Sequence, residues 1–200
     1  MSVRLPFTSA LLVLLLAACA QQPRLPTSAS WKEHSARLKE LTSWTAEGKI
    51  ALRTPEQSES ASLQWHQQDN VSRLHLSGPL GVAATSMYSD GRTLIIRQGE
   101  SVTTWDMAET SILEQRMGWD LPLQALPHWI KGLPAPDQKI EDMALGPDPS
   151  LLQMLKQDGW EIHFEAYANY GNFTLPTRLH LQREDSTVRL IIRNWRESAD

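Results

Sequence analysis

Six histidines and two closely spaced carboxylates are the residues of this 200-residue chain best suited to proton chemistry. His66, His75, His163 and His180 all fall on the polar sides of alternating apolar–polar runs, and Glu161 and Glu165 flank His163 on its own side. An imidazole between carboxylates can move a proton, and imidazoles that converge can hold a metal ion. The same residues also describe a solvated strand face. An enzyme further needs a nucleophile, a base and an oxyanion site. The sequence contains no Gly-x-Ser-x-Gly elbow, no His-Glu-x-x-His, no phosphate-binding Gly-rich loop and only one cysteine. Nineteen basic against 23 acidic residues, a formal charge of −4, is not the basic excess of a nucleic-acid binder. No catalytic residue, metal or cofactor is expected.

The single cysteine carries more specific chemistry. Arg4 precedes an apolar stretch from Ala10 to Ala18, followed at once by Cys19. Nine residues fall well short of the roughly twenty that span a bilayer as a helix, so the segment reads as a secretory signal. Leu16-Ala17-Ala18-Cys19 is similar to the bacterial lipobox. That resemblance implies diacylglyceryl transfer to the Cys19 thiol, cleavage before it and acylation of the new amine. The alternative is an ordinary signal beside an unrelated cysteine. Removing residues 1–18 takes away one basic residue, Arg4, and leaves 182 residues at a formal −5. Several acyl chains on Cys19 give stable anchoring without a transmembrane helix. Ala20 stands where an Asp resembles an inner-membrane retention signal, which implies a lipid anchor in the outer membrane, facing the periplasm. Residues 19–29 are polar with two prolines and read as an extended linker, leaving 30–200 as one domain.

Two further features suggest apolar recognition. The turn Ser77-Gly78-Pro79-Leu80-Gly81 places a leucine where tips normally carry polar residues. Leu80 either folds back onto the sheet or offers an apolar finger to a membrane or ligand. Tryptophan is also abundant: eight, against three Phe and three Tyr. Broad Trp and adaptable Met side chains suit an apolar cavity that must not demand one ligand length. Candidates for its lining are Trp65, Leu74, Leu76, Met87 and Ile95, with Trp129, Ile130 and Phe164 from later in the chain; each could equally be plain core.

The elements that must position these residues follow from periodicity. Ser30 and Glu33 form a capping box, and Trp31, His34, Leu38 and Leu41 fall on one stripe of a helix over about 31–41. The period then becomes two. Trp44, Ala46, Gly48, Ile50 and Leu52 share one face, and alternation continues through 61–66, 73–76 and 82–89. Asp90-Gly91 marks a hairpin into 93–97, and Gln98-Gly99-Glu100 turns into 102–106. Helical spacing is predicted between about Glu109 and Gly132. One short helix ends at Gly118, and a second starts at Pro122 with Leu123, Leu126, Trp129, Ile130 and Leu133 on its stripe. Strands resume at 160–166, 178–182 and 187–195. One-sided alternation joined by short turns means an antiparallel sheet with one apolar face, covered by the helices. The expected fold class is α+β: a single unclosed, strongly curved antiparallel sheet, a half-barrel, with helices over its concave apolar side.

The string Leu126-Pro-His-Trp129-Ile130-Lys-Gly132-Leu133-Pro134, the Gly-Pro-Leu-Gly turn, the lipobox and the closing strand block from Trp160 to Trp195 together resemble the LolB family of outer-membrane lipoprotein receptors. The resemblance implies a curved, unclosed barrel with a helical lid around an apolar cavity. It implies that triacylated lipoproteins are accepted from a LolA-like periplasmic carrier and released into the outer membrane by a monomer without nucleotide hydrolysis. Leu80 would be the loop leucine used in that release. Pro127 departs from a regular lid helix. Two other readings are a structural assembly lipoprotein working through protein contacts and a periplasmic hydrolase using one of the histidines. All transfer readings require an apolar hollow between sheet and lid.

Overall fold

In a computed structural model of the chain, residues 31–78, 84–107 and 122–198 are described. The predicted helix is present as α1 (Trp31–Glu40), with His34 and Leu38 turned into the core. Eleven strands follow: β1 (Ser43–Arg53), β2 (Ser58–Gln68), β3 (Val71–Ser77), β4 (Thr85–Ser89), β5 (Thr93–Gln98), β6 (Ser101–Asp106), β7 (Ile140–Leu145), β8 (Leu152–Gln157), β9 (Trp160–Tyr170), β10 (Phe173–Arg183) and β11 (Ser186–Glu197). A four-residue helix, α2 (Leu126–Trp129), lies between β6 and β7.

All strands join one antiparallel sheet in the order β6-β5-β4-β3-β2-β1-β11-β10-β9-β8-β7. Every neighbour but one is a sequence neighbour; the exception is β1 against β11, which brings the chain's two halves together. The sheet ends at β6 and β7 and so remains unclosed, as expected. Because strand side chains alternate, one register fixes one face. Ala46 pairs with Trp65 and Trp195, Trp65 with Leu74, Leu74 with Met87 and Met87 with Ile96. The opposite row, Thr45, His66, Arg73 and Tyr88, is polar.

Two points of the expected fold are corrected. The helix predicted from Pro122 to beyond Trp129 shrinks to α2 within a series of turns. Pro127 supplies no N–H, and Gly132 at φ +81° ends the turn, its N–H bonding to Trp129 O and that of Leu133 to His128 O. β7 and β8 were not anticipated. Their pairing is interrupted by two register shifts, and buried Leu152 and Leu155 stand three apart rather than two or four. Among the described residues the fold is mostly sheet. The other predicted helix, ending at Gly118, lies outside the described residues. No helix among them is long and apolar enough to cross a membrane.

Candidate functional site

The apolar face of the sheet, with α1 and the 122–135 segment packed on it, is the candidate site. Six of the eight expected lining residues, Trp65, Leu76, Met87, Trp129, Ile130 and Phe164, are buried members of one core cluster, and Leu74 packs against it half-buried. Trp65, Leu74 and Met87 form one cross-strand row over β2–β4, and Leu76 faces Leu63 one row away. Phe164 opposes Leu179 on the far half. Ile95 belongs elsewhere. It pairs with Tyr88 and Thr104 on the polar face, because Leu94 and Ile96 take the two inward positions of β5. Trp129 and Ile130 are fully buried and Trp65 is 3% exposed, and a hollow of about 160 Å³ lies beside them, lined by Leu41, Trp44, Phe173, Leu175 and Trp195 among others.

Three tryptophans join the halves. Trp44 sits with ring centroids 5.3 Å from Trp65 and 5.1 Å from Trp195, the latter edge-on. Trp65 donates to Gln67 Oε1 and Trp195 to Pro176 O, whereas the indole N–H of Trp44 has no partner among the described residues. Trp44 and Trp195 were not singled out as lining residues, although both alternate onto the apolar face.

The covering segment is held by few polar links. Trp129 Nε1 donates to Gln157 Oε1 at 2.9 Å, and the same oxygen accepts from Ala135 N. Gln157 Nε2 donates to the carbonyls of Ala135 and Gln138, so this fully buried amide is satisfied on both sides. Lys131 is buried, and its Nζ donates to Leu38 O and Leu41 O at the end of α1. Burial lowers its pKa to about 8, and with burial the Lys131 charge keeps His128 below its ordinary value. Tyr167, whose hydroxyl donates to Leu152 O, is raised well above the usual phenol range by burial. Neither Gln157 nor Lys131 was found from sequence. A polar residue inside an apolar string, as Lys131 is in Trp-Ile-Lys-Gly-Leu, was the available signal.

Of the proton-chemistry candidates, Glu161, His163 and Glu165 lie on an exposed strand face, whereas His180 is half-buried and its Nε2 is buried without a hydrogen-bond partner among the described residues. Glu161 accepts from Lys156 and bridges His163 at 2.6 Å on an exposed strand face, and Lys156 above all holds its carboxyl below the usual range. No group of three His, Cys, Asp or Glu among the described residues could hold a metal. Cys19 and the turn residues Pro79, Leu80 and Gly81 lie outside the described residues; Gly78 closes the end of β3.

The family model described as outer membrane lipoprotein LolB matches residues 42–195. The outer-membrane lipoprotein LolB of Stutzerimonas stutzeri is 35% identical over 190 residues, covering 92% of this chain and 91% of that protein. The one from Pseudomonas paraeruginosa is 38% identical over 167 residues, covering 83% and 80% respectively. Among solved structures, a LolA superfamily protein from Nitrosomonas europaea is similar in fold at a TM-score of 0.53 and 11% identity, over 86% of this chain and 96% of its own.

Proposed function

This chain belongs to the LolB family of outer-membrane lipoproteins, and we propose that it accepts acylated lipoproteins from a LolA-like periplasmic carrier and releases them into the outer membrane. The observation that carries this reading is the joint between the apolar sheet face and its cover. The sheet is held by continuous strand pairing, but residues 122–135 are tied down by one buried glutamine, one buried lysine and apolar contact. Lifting the segment costs a few hydrogen bonds and leaves the sheet intact. Acyl chains entering beneath it replace the apolar contacts that Trp129, Ile130 and Leu133 give up.

The driving forces need no nucleotide. An acyl chain in water costs about 0.8 kcal/mol per exposed CH₂, so three chains cost tens of kcal/mol. Cargo leaves a looser binder for this interior, and this interior for the bilayer, each step downhill. Leu80, carried by the segment between β3 and β4, enters the membrane during release. Burying one leucine gives about 1.5–3 kcal/mol, enough to aid local insertion but not to anchor the protein. Anchoring is the work of acylated Cys19.

The reading is tested with a fluorescent fatty acid as probe and a triacylated lipopeptide as competitor. The probe is expected to bind and to be displaced by the acylated peptide but not by its unacylated twin. Absence of probe binding would leave the structural assembly reading in its place.

A further inference from the structure

Opposite the candidate site, the polar face of β2–β5 carries a hollow of about 500 Å³. Its walls include Gln64, His66, Arg73, His75, Tyr88 and Arg97, side chains that the register places on one face; Leu74 and Met87 point the other way and contribute main chain to the floor. Four of the wall residues are basic or imidazole, and no carboxylate lines the hollow among the described residues. That composition stands out in a chain of formal charge −4. The adjoining hollow of about 360 Å³ shares Gln64 and His75 and adds Arg193; its one carboxylate, Glu47, is engaged by Arg196.

The groups are also preset as donors. His75 Nδ1 lies 3.2 Å from Ser86 Oγ, and His66 Nδ1 lies 3.0 Å from Thr45 Oγ1. When each hydroxyl donates to Nδ1, the neutral ring carries its proton on Nε2, and a protonated ring donates there as well. The Arg73 guanidinium carbon lies over the Tyr88 ring, 5.7 Å from its centroid, a cation–π contact that holds the charge on this face. Guanidinium and imidazole donors converging without a competing carboxylate are the chemistry that recognises a phosphate oxyanion.

We propose that this hollow binds the phosphodiester headgroup of an anionic lipid. The position argues for a lipid over a free phosphate. β3 and β4, which form its floor, are the two strands joined through Leu80, and the row of His75, Ser86 and Arg97 is the one next to the Leu80 end of that hairpin. The inference rests on the membrane role proposed for Leu80, and deepens it by naming the lipid group met beside it.

The test uses the full chain with Cys19→Ala, so that no acyl anchor contributes, and the same chain with Arg73→Gln and Arg97→Gln. Both are mixed with phosphatidylglycerol vesicles, with vesicles of uncharged galactolipid, and with inorganic phosphate. The double variant is expected to lose on the order of tenfold in affinity for phosphatidylglycerol vesicles at low salt. Its galactolipid binding should be unchanged, and the parent's preference should fade as salt screens it. Equal binding of phosphatidylglycerol by parent and double variant would overturn the proposal. So would saturation by inorganic phosphate that leaves vesicle binding untouched, which would mark a free-anion site. Displacement of the fatty-acid probe by lipopeptide is measured on the same two proteins. If it persists while the vesicle difference is absent, the headgroup site alone falls; if the parent lacks it, the receptor reading falls.

Discussion

The ammonium of Lys131 donates to the backbone oxygen of Leu41 at 2.8 Å, so the turn after α2 caps the end of α1 with a buried cation. The folded pKa of about 8 lies below the ordinary 10.5 because the charge is poorly solvated. Between those values the unfolded chain holds a proton that the folded one has released, so this group's contribution to stability rises with pH through that window. Below pH 8 both states are protonated and the cost of burying the charge is present in full. Lys131→Met removes the titration. The stability of the parent relative to Lys131→Met, from denaturant midpoints, should rise by up to about 3 kcal/mol between pH 7.5 and 10.5. A gap that ignores pH would mean the amine is hydrated.

Gly48→Ala should be far more damaging than its small size suggests. At Gly48 the β1–β11 register shifts, and a Cβ there would stand 1.9 Å from the Ile191 carbonyl oxygen. That contact is backbone and cannot rotate away. The pairing it disrupts is the seam joining the two halves of the sheet. A loss of roughly 3 kcal/mol or more, or failure to accumulate folded protein, is expected; a melting temperature within a few degrees of the parent would show the bulge to be pliable.

Where one face is apolar and strands are regular, the sequence was readable. Trp44 to Leu52, Ala61 to Trp65 and Leu179 to Leu181 announce their inward residues by period two, and the structure places them there. Ile95 was misplaced because Leu94-Ile95-Ile96 is unbroken apolar sequence, and only pairing with Tyr88 and Thr104 decides which member faces out. β7 and β8 were invisible because register shifts erase the period. The stripe of Leu126, Trp129 and Ile130 was right as burial but wrong as helix length, since proline and a positive-φ glycine act on the backbone and not on polarity. Buried Gln157 left no trace, because its satisfaction depends on three residues brought from 19 to 28 positions away.

Gln157→Ala should loosen the cover without touching the sheet. It would strand the Trp129 indole N–H, the Ala135 N–H and two carbonyls in a buried setting. About 3–5 kcal/mol of stability is at risk. Amide exchange should speed up most at Ala135 and its neighbours, and less across β1–β11. Uniform acceleration over both would show cover and sheet to be one cooperative unit.

Cys19, the proposed anchor, is separated from α1 and the proposed container by a proline-containing polar stretch. Cys19→Ala, exported through a different signal, is expected to remain soluble and still pass lipoproteins to membranes. Fractionation and a transfer assay read both properties. Complete loss of transfer in the soluble form would place the anchor inside the mechanism.

Leu80→Glu separates taking from giving. The substitution lies in the segment between β3 and β4 and not in the cross-strand row of Trp65, Leu74 and Met87, so uptake of acyl chains should be unchanged. Release is another matter. A carboxylate at the tip forfeits the 1.5–3 kcal/mol of leucine burial and adds the cost of bringing a charge to an apolar boundary. Against anionic lipid it also opposes the Arg73 and Arg97 attraction proposed for the neighbouring face. The variant should therefore hold cargo and deliver it at least tenfold more slowly, with the defect larger on phosphatidylglycerol vesicles than on galactolipid. Delivery at the parent's rate on both would remove Leu80 from the release step.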